Sequence, residues 1–317
     1  MRQADFPFLP KDFIQTAEGL IFAVIDYPSF DGKVGCFLRY IPDGSAWRKV
    51  DTGQAKAVLK DFPQYRYRAK QIAAEFHAVA TSEIVQHYRP EQHLQHLLSL
   101  PKATGLIKKL QQLMALFSDY GLAMENIGIT GSMLIGQQRN TSDIDLVIYG
   151  RAYFQQVRKV MKRALEAGQI APLDAAQMRD NYQRRNATLS YDEFAWHEQR
   201  KLNKAVIEGT KFDIGMVLLP EERKLDSDTY QKIGHQTLIA RVMDDSQAFD
   251  FPACFRIDDK RIPEILVFTH TYVGQARAGE IIEVAGQVEK NTRSGQYRLI
   301  VGASREAEGE YIKVSRQ

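Results

Sequence analysis

Two segments of the chain alternate acidic and aliphatic residues, and this pattern fits a β-strand with one buried face. They are Asp143-Ile144-Asp145-Leu146-Val147-Ile148 and Lys211-Phe212-Asp213-Ile214-Gly215-Met216-Val217-Leu218. Successive side chains of a strand point to opposite faces, so the aspartates share one face and the aliphatic side chains the other. If the strands pair, Asp143, Asp145 and Asp213 converge on one edge of the sheet. A fold built on these strands must therefore compensate three like charges.

A divalent cation is the simplest compensation for such a cluster of carboxylates. Carboxylate oxygens suit Mg²⁺ or Mn²⁺, and Mg²⁺ is the usual ion where phosphate oxygens complete the coordination shell. Two ions held side by side can activate an attacking hydroxyl and stabilise a leaving group. We therefore predict that Asp143, Asp145 and Asp213 are metal ligands and catalytic residues.

A turn that precedes the first aspartate by ten residues adds a candidate phosphate site. Residues 126–130 form an apolar strand, Gly131-Ser132 a turn, and residues 133–136 the start of a predicted helix. Glycine lets the backbone approach a ligand closely, and the N–H groups at the start of a helix attract anions. We expect Gly131 and Ser132 to bind the phosphates of a nucleoside triphosphate.

Together these residues resemble the signature of the DNA polymerase β-like nucleotidyltransferase superfamily. Thr130-Gly131-Ser132 and Asp143-Ile144-Asp145-Leu146 match its two conserved blocks, and Asp213 matches its later third aspartate. Arg139, in the spacer, is similar to a basic residue of the small nucleotidyltransferases, which implies a phosphate contact. The resemblance covers residues 126–218.

The resemblance implies a fold and an activity. The fold is α+β, with a nucleotidyltransferase core made of a short mixed sheet and helices on one side. The activity is metal-dependent transfer of a nucleoside monophosphate from a triphosphate, such as ATP, to a hydroxyl acceptor with release of pyrophosphate. In this interpretation Asp143 and Asp145 bind both metal ions, and Asp213 binds the ion that activates the acceptor.

Positive charge is concentrated between the second and third of these strands. The whole chain has 42 Lys and Arg against 39 Asp and Glu, whereas residues 151–210 hold eleven basic and seven acidic residues. The basic residues at helical or close spacing are Arg158, Lys159, Lys162, Arg163, Arg184, Arg185, Arg200, Lys201 and Lys204. Beside a phosphate-binding site they predict contact with an RNA or DNA acceptor, although a solvated helix face explains them equally well.

The flanking regions predict structure without recognisable chemistry. Residues 1–100 are predicted to form an N-terminal α+β region with a hairpin at 20–40 and a helix-compatible stretch at 55–77. Residues 101–222 form the predicted catalytic domain. Residues 223–317 form a small β-rich domain with strands at 265–272, 280–288, 297–301 and 311–314, for which oligonucleotide binding, dimerisation and shielding remain open.

Composition and cysteine usage limit the class of protein further. Hydrophobic residues make up 44% and charged residues 26%, which excludes disordered and fibrous classes. Two distant cysteines and the lack of a long apolar run predict a cytoplasmic protein without a membrane segment. A competing hypothesis is a nucleic-acid-binding or antitoxin-like module on a catalytically inactive transferase fold.

Overall fold

The computed structural model describes residues 8–25, 32–68, 75–185, 187–223, 228–302 and 308–315. Over these residues the protein is of the α+β class, with several sheets and six α-helices, none of which has the length and apolar character to cross a membrane. It divides into two compact units, Met1–Val160 with Ile207–Glu222 and Met161–Val206 with Arg223–Gln317. These units differ from the three consecutive ranges predicted above, because helices that follow residue 160 share a hydrophobic core with the C-terminal strands.

The first unit begins with a seven-stranded sheet and one short helix. The strands are β1 (Phe13–Thr16), β2 (Ile21–Val24), β3 (Lys33–Asp43), β4 (Ala46–Lys49), β5 (Arg66–Arg68), β6 (Glu75–Ala80) and β7 (Ile84–Tyr88), and the helix is α1 (Thr52–Val58). The order is β5-β6-β3-β2-β1-β7, with β4 on β3. Antiparallel pairing of β2 with β3 confirms the predicted hairpin, whose loop at 26–31 lies outside the described residues.

The helix-compatible stretch at 55–77 is only partly helical. Helix α1 starts at a capping box between Asp51 and Gln54 and ends at Val58. Beyond it, β5 and β6 pair in an antiparallel manner. Tyr65 and Val79 are buried in the same core as the other strands, so packing onto the sheet overrides the mixed local pattern.

The remainder of the first unit holds a second sheet with its helices. Its elements in this unit are α2 (Pro90–Leu98), α3 (Gly105–Asp119), β8 (Ile127–Thr130), β9 (Ile144–Tyr149) and the first residues of α4 (Arg151–Glu166). After β10 (Lys204–Ile207), most of which belongs to the second unit, β11 (Thr210–Val217) completes the list. Strand β9 is central, parallel to β11 and antiparallel to β8. Helix α2 lies close to β8 at Gly128, where an added Cβ would stand 2.6 Å from the Cβ of Pro90.

The second unit combines two helices with a sheet that closes on itself. The helices are α5 (Ala175–Arg185) and α6 (Tyr191–Lys201), and the strands are β12 (Tyr230–Gln247), β13 (Ala253–Ile257), β14 (Glu264–Val267), β15 (Ile281–Asn291), β16 (Tyr297–Val301) and β17 (Tyr311–Val314). The order is β12-β13-β14-β16-β15-β17, and β12 also pairs with β15. Phe194 of α6 is buried with residues of these strands in one core.

Two features of the second unit differ from the predicted strands. The long strand β12 is absent from the prediction because residues 231–235 are all exposed and show no alternation. The predicted strand at 265–272 ends at Val267, where turns begin. The strands at 281–291, 297–301 and 311–314 lie where the sequence pattern indicated.

Candidate functional site

The register of β9 and β11 places the predicted carboxylates side by side. Asp213 is the direct partner of Asp145 in the parallel pair. Asp143 lies two residues before Asp145, so its side chain belongs to the same face. The pairing predicted from the sequence is therefore confirmed, and the structure brings the three aspartates to one edge of the sheet.

Lys211, for which the sequence pattern predicts no role, lies beside these carboxylates. Lys211 Nζ is 2.8 Å from Asp143 Oδ2, and the Lys211 side chain is only 8% exposed whereas that of Asp143 is 34% exposed. The spacing that places Asp213 beside Asp145 also places residue 211 beside residue 143, so this lysine could have been found from the strand pairing alone. Asp143 is thus held by a buried cation.

The electrostatic environment of Asp145 shows that the cluster is not fully compensated. Burial of the carboxyl, together with the negative charges of Asp213 and Asp143, raises its pKa to about 6, against the lowering effect of Lys11 and Lys211. Two lysines therefore offset only part of the repulsion, and a further cation would favour the ionised form.

Gly131 allows the Asp145 carboxylate to lie against the backbone of the preceding turn. Gly131 has φ +68°, and a Cβ added there would lie 2.3 Å from Asp145 Oδ2. Thr130, the residue before it, is the cross-strand partner of Asp145. The Gly131-Ser132 turn predicted to bind phosphate is therefore beside the central aspartate, and only glycine fits at its first position.

The segment after this turn differs from the predicted helix. Residues Gly131–Ile135 form a five-residue 3₁₀ helix that ends at Gly136 with φ 66°. Met133, Leu134 and Ile135 are buried, so the apolar run is used for packing, and the aligned dipoles of a long α-helix are not available at Ser132. Ser132 is partly buried in the first turn of this helix.

Arg139 lies in a tight turn on the surface. Its backbone N–H donates to the Ser142 hydroxyl at 2.9 Å, and the Ser142 N–H donates to the Arg139 carbonyl at 2.9 Å. The side chain is exposed. The turn shapes the loop that leads into Asp143, and contact of Arg139 with a phosphate stays a prediction.

The N-terminal region contributes two residues to the site that the sequence did not indicate. Lys11 is near enough to lower the pKa of Asp145. Tyr40 of β3 is buried; its pKa is raised mainly by burial and also by the charge of Asp145. Both residues are about a hundred positions or more from Asp145 in the chain, and no local pattern marks either of them.

Part of the predicted basic stripe is neutralised within the second unit. The Lys201 and Lys204 ammonium groups both pair with Glu198, and the buried Lys201 also donates to the Thr271 carbonyl at 2.7 Å. Arg200 pairs with Glu280. These cations stabilise the fold, because a buried charge requires a partner, and they are not an open nucleic-acid surface.

Other basic residues of the segment stay on the surface of α4. Lys159, Lys162 and Arg163 are exposed, and Lys162 forms an i,i+4 ion pair with Glu166 at 3.7 Å. His197 of α6 is buried; its ring nitrogens contact the Glu193 carbonyl at 2.7 Å and the Val314 N–H at 3.1 Å.

The structure describes no closed set of protein ligands for a metal ion. Within the described ranges, His, Cys, Asp and Glu side chains do not form a group of three that could hold one. At the aspartate edge, the Asp143 carboxylate is turned to Lys211, while Asp145 and Asp213 are adjacent in register.

Comparison with known proteins shows one full-length relationship. The chain is 32% identical to the uncharacterized protein MJ1086 of Methanocaldococcus jannaschii over 335 residues, and the alignment covers 96% of this chain and 98% of that protein. No protein-family profile matches the chain. No solved structure matches it either. Identity at this level over nearly the whole of both chains means that the protein belongs to the family of MJ1086.

Proposed function

We propose that the protein is a metal-dependent nucleotidyltransferase, which transfers a nucleoside monophosphate from a nucleoside triphosphate to a hydroxyl. The proposal is carried by the register of β9 and β11, in which Asp145 and Asp213 are direct partners. Asp143, the residue before β9, lies 2.8 Å from Lys211 of β11. Neighbouring strands of a sheet lie about 4.7–4.9 Å apart, so these carboxylates repel each other strongly unless a cation lies between them.

The donor set suits Mg²⁺ or Mn²⁺. It consists of carboxylate oxygens on two adjacent, rigid strands, and such oxygens are preferred by both ions. Asp145 and Asp213 would hold the metal together with Asp143, whose carboxylate lies 2.8 Å from Lys211 Nζ. When bound, the metal would supply charge neutralisation for the triphosphate and activation of the attacking hydroxyl.

The chain itself would position the substrate. The Gly131-Ser132 turn, pressed against Asp145, offers backbone N–H groups to the phosphates. During transfer, a bond forms between the acceptor oxygen and the α-phosphorus while the bond to the bridging oxygen of pyrophosphate breaks. The hydroxyl proton is lost to a neighbouring carboxylate, and catalysis comes mainly from positioning and charge stabilisation.

A single-stranded nucleic acid, RNA or DNA, is the acceptor that the exposed side chains favour. In the second unit Phe251 is 43% exposed and its ring stacks on that of His270, with centroids 4.5 Å apart. Exposed stacked rings are a platform for unpaired bases, and an exposed cation of the same unit, Arg163, attracts phosphates.

Label transfer tests the proposed function. The full chain is incubated with Mg²⁺ or Mn²⁺, each of the four α-labelled triphosphates, and RNA, DNA, small-molecule or protein acceptors. We expect label on an acceptor together with released pyrophosphate, and loss of both in Asp145→Asn and Asp213→Asn. An exposed carboxylate in the same unit, Asp61, provides a matched control as Asp61→Asn, with unchanged transfer.

Two results would contradict the proposal. One is transfer that survives in both aspartate variants. The other is nucleic-acid binding that needs no metal and is accompanied by no turnover of any triphosphate, which would favour the inactive binding module instead.

A further inference from the structure

A lysine in the first unit has a backbone conformation that favours glycine. Lys11 has φ 76° and is the third residue of a turn closed by the Asp12 N–H, which donates to the Leu9 carbonyl at 3.1 Å. Pro10 is the second residue of this turn. Proline at the second position and a positive φ at the third are typical of type II turns, whose third residue is usually glycine. A side chain there destabilises the fold, and such strain is typical of functional sites.

The turn is fixed to the aspartate edge of the sheet through its backbone. The Lys11 N–H donates to the Val24 carbonyl at 3.0 Å, and the Thr130 hydroxyl donates to the Lys11 carbonyl at 2.8 Å. Thr130 is the cross-strand partner of Asp145. The position of Lys11 is therefore set relative to the central carboxylate.

The next residue holds the turn from its other side. Asp12 is fully buried; its carboxylate accepts the Leu9 N–H at 2.9 Å and lies 2.8 Å from His87 Nε2. Because these contacts involve the turn and β7, they help to keep Lys11 in its strained conformation.

The Lys11 side chain lies over the same face as the aspartates. Its Cε is 3.9 Å from the position of a Cβ at Gly215, which is two residues after Asp213 on β11. Along the paired strands, Lys211 lies beside Asp143, then Asp145 lies beside Asp213, and then Lys11 lies over Gly215. Successive rows are about 6.6 Å apart, so a cation flanks the carboxylate pair at each end.

We propose that Lys11 binds a phosphate group of the nucleoside triphosphate; this inference rests on the proposed nucleotidyltransferase function. The net charge of the occupied site would be about −3, since it would hold three carboxylates, two divalent ions and a triphosphate of roughly four negative charges. The two lysines reduce this negative charge. The Lys211 side chain is only 8% exposed, whereas Lys11 is partly exposed. Lys11 is therefore the cation that can reach the substrate, and the N-terminal region completes the site.

Binding of magnesium tripolyphosphate to the full chain tests this assignment, since this probe carries the triphosphate without a base. Isothermal titration should show binding about 10- to 100-fold weaker in Lys11→Met and Lys11→Gly, the loss expected for a charge-assisted hydrogen bond. Lys11→Gly should melt at the same temperature as the wild type or higher, which separates lost binding from misfolding.

Two control variants sharpen the comparison. Lys102→Met removes an exposed lysine of the same unit and should bind the probe normally. Glu208, another non-glycine residue with positive φ (46°), gives Glu208→Gly, which should gain stability without a change in binding.

The outcomes separate this inference from the proposed function. Equal binding in wild type, Lys11→Met and Lys11→Gly, together with weaker binding in Asp145→Asn, would overturn the role of Lys11 and leave the transferase proposal intact. Absence of probe binding by the wild type, with and without Mg²⁺, would overturn both.

Discussion

Replacement of Asp145 by asparagine should stabilise the metal-free protein and remove its response to metal. The folded-state pKa of Asp145 is about 6, against an ordinary value of 3.8, because burial, Asp213 and Asp143 disfavour its ionised form. A carboxyl group whose pKa is raised on folding lowers the stability of the fold as pH rises above its unfolded value of 3.8, and the loss is complete above the folded value of about 6. Two pKa units correspond to roughly 3 kcal/mol, of which roughly 1 kcal/mol is lost between pH 5.0 and 7.5.

Thermal melts in EDTA and in Mg²⁺, at pH 5.0 and 7.5, measure this effect. In EDTA the wild type should lose stability as pH rises from 5.0 to 7.5. Asp145→Asn should lack the part of this loss that comes from ionisation of Asp145, and it should melt several degrees higher than the wild type at pH 7.5. Mg²⁺ should raise the melting temperature of the wild type and leave the variant unchanged. Asp61→Asn is the matched control and should follow the wild type in both buffers.

An Asp145→Asn variant that is less stable than the wild type at pH 7.5 in EDTA would contradict the expected stabilisation. Such a result would mean that the ionised Asp145 carboxylate is stabilised by the fold, and that the carboxylate cluster needs no further cation.

Three other changes give distinct expectations. Gly131→Ala should lower the free energy of unfolding by roughly 1–3 kcal/mol in urea titrations, since its methyl group would meet the Asp145 carboxylate at a left-handed position. Glu198→Gln should cost roughly 3–5 kcal/mol at pH 7, because it leaves buried Lys201 without its counter-ion. Burial alone would raise the pKa of Glu198, but its lysine partners lower the pKa to about 2. The ionised Glu198 therefore stabilises the wild type above about pH 4.5, and this stabilisation is lost as pH falls to about 2. The free energies of unfolding of wild type and Glu198→Gln in urea should approach each other over the same range. Lys159→Ala should weaken RNA binding if α4 contacts phosphates, and it should reduce by about 1 the slope of log binding constant against log salt concentration. An unchanged slope would exclude Lys159 from the contact.

The paired strands of the site could be predicted because their pattern is local. In residues 143–149 and 211–218, one face is apolar throughout and the other carries the three aspartates, and this period-two pattern predicts both the strands and the face on which the aspartates lie. Given the pairing, the register of Asp213 on Asp145 also places Lys211 beside Asp143. This part of the site follows from sequence and geometry alone.

The contribution of the N-terminal region could not be predicted, because it depends on long-range packing. Lys11 reaches the aspartates through a turn whose carbonyl is bound by Thr130, 119 residues later in the chain. The residues Pro10-Lys11-Asp12 predict only a turn of unspecified type, since proline and aspartate favour turns in many contexts. The positive φ of Lys11, which distinguishes this turn, is visible only in three dimensions.

The basic segment shows a limit of charge counting. Lys201 and Lys204 add to the positive count of residues 151–210, but both are bound by Glu198 within the second unit. Helical spacing identifies which cations share a face, and it does not show whether that face is buried against other elements. The exposed cations of α4 are therefore the remaining candidates for contact with an acceptor.

Electron paramagnetic resonance of Mn²⁺ tests whether the aspartates bind a divalent metal ion, because Mn²⁺ can replace Mg²⁺ and the signal of free Mn²⁺ disappears on binding. We predict that the full chain binds Mn²⁺ in the presence of a non-hydrolysable triphosphate, and that Asp145→Asn and Asp213→Asn each weaken this binding by more than about tenfold. Equal binding by the wild type and both variants would show that these aspartates hold no metal and would contradict the account.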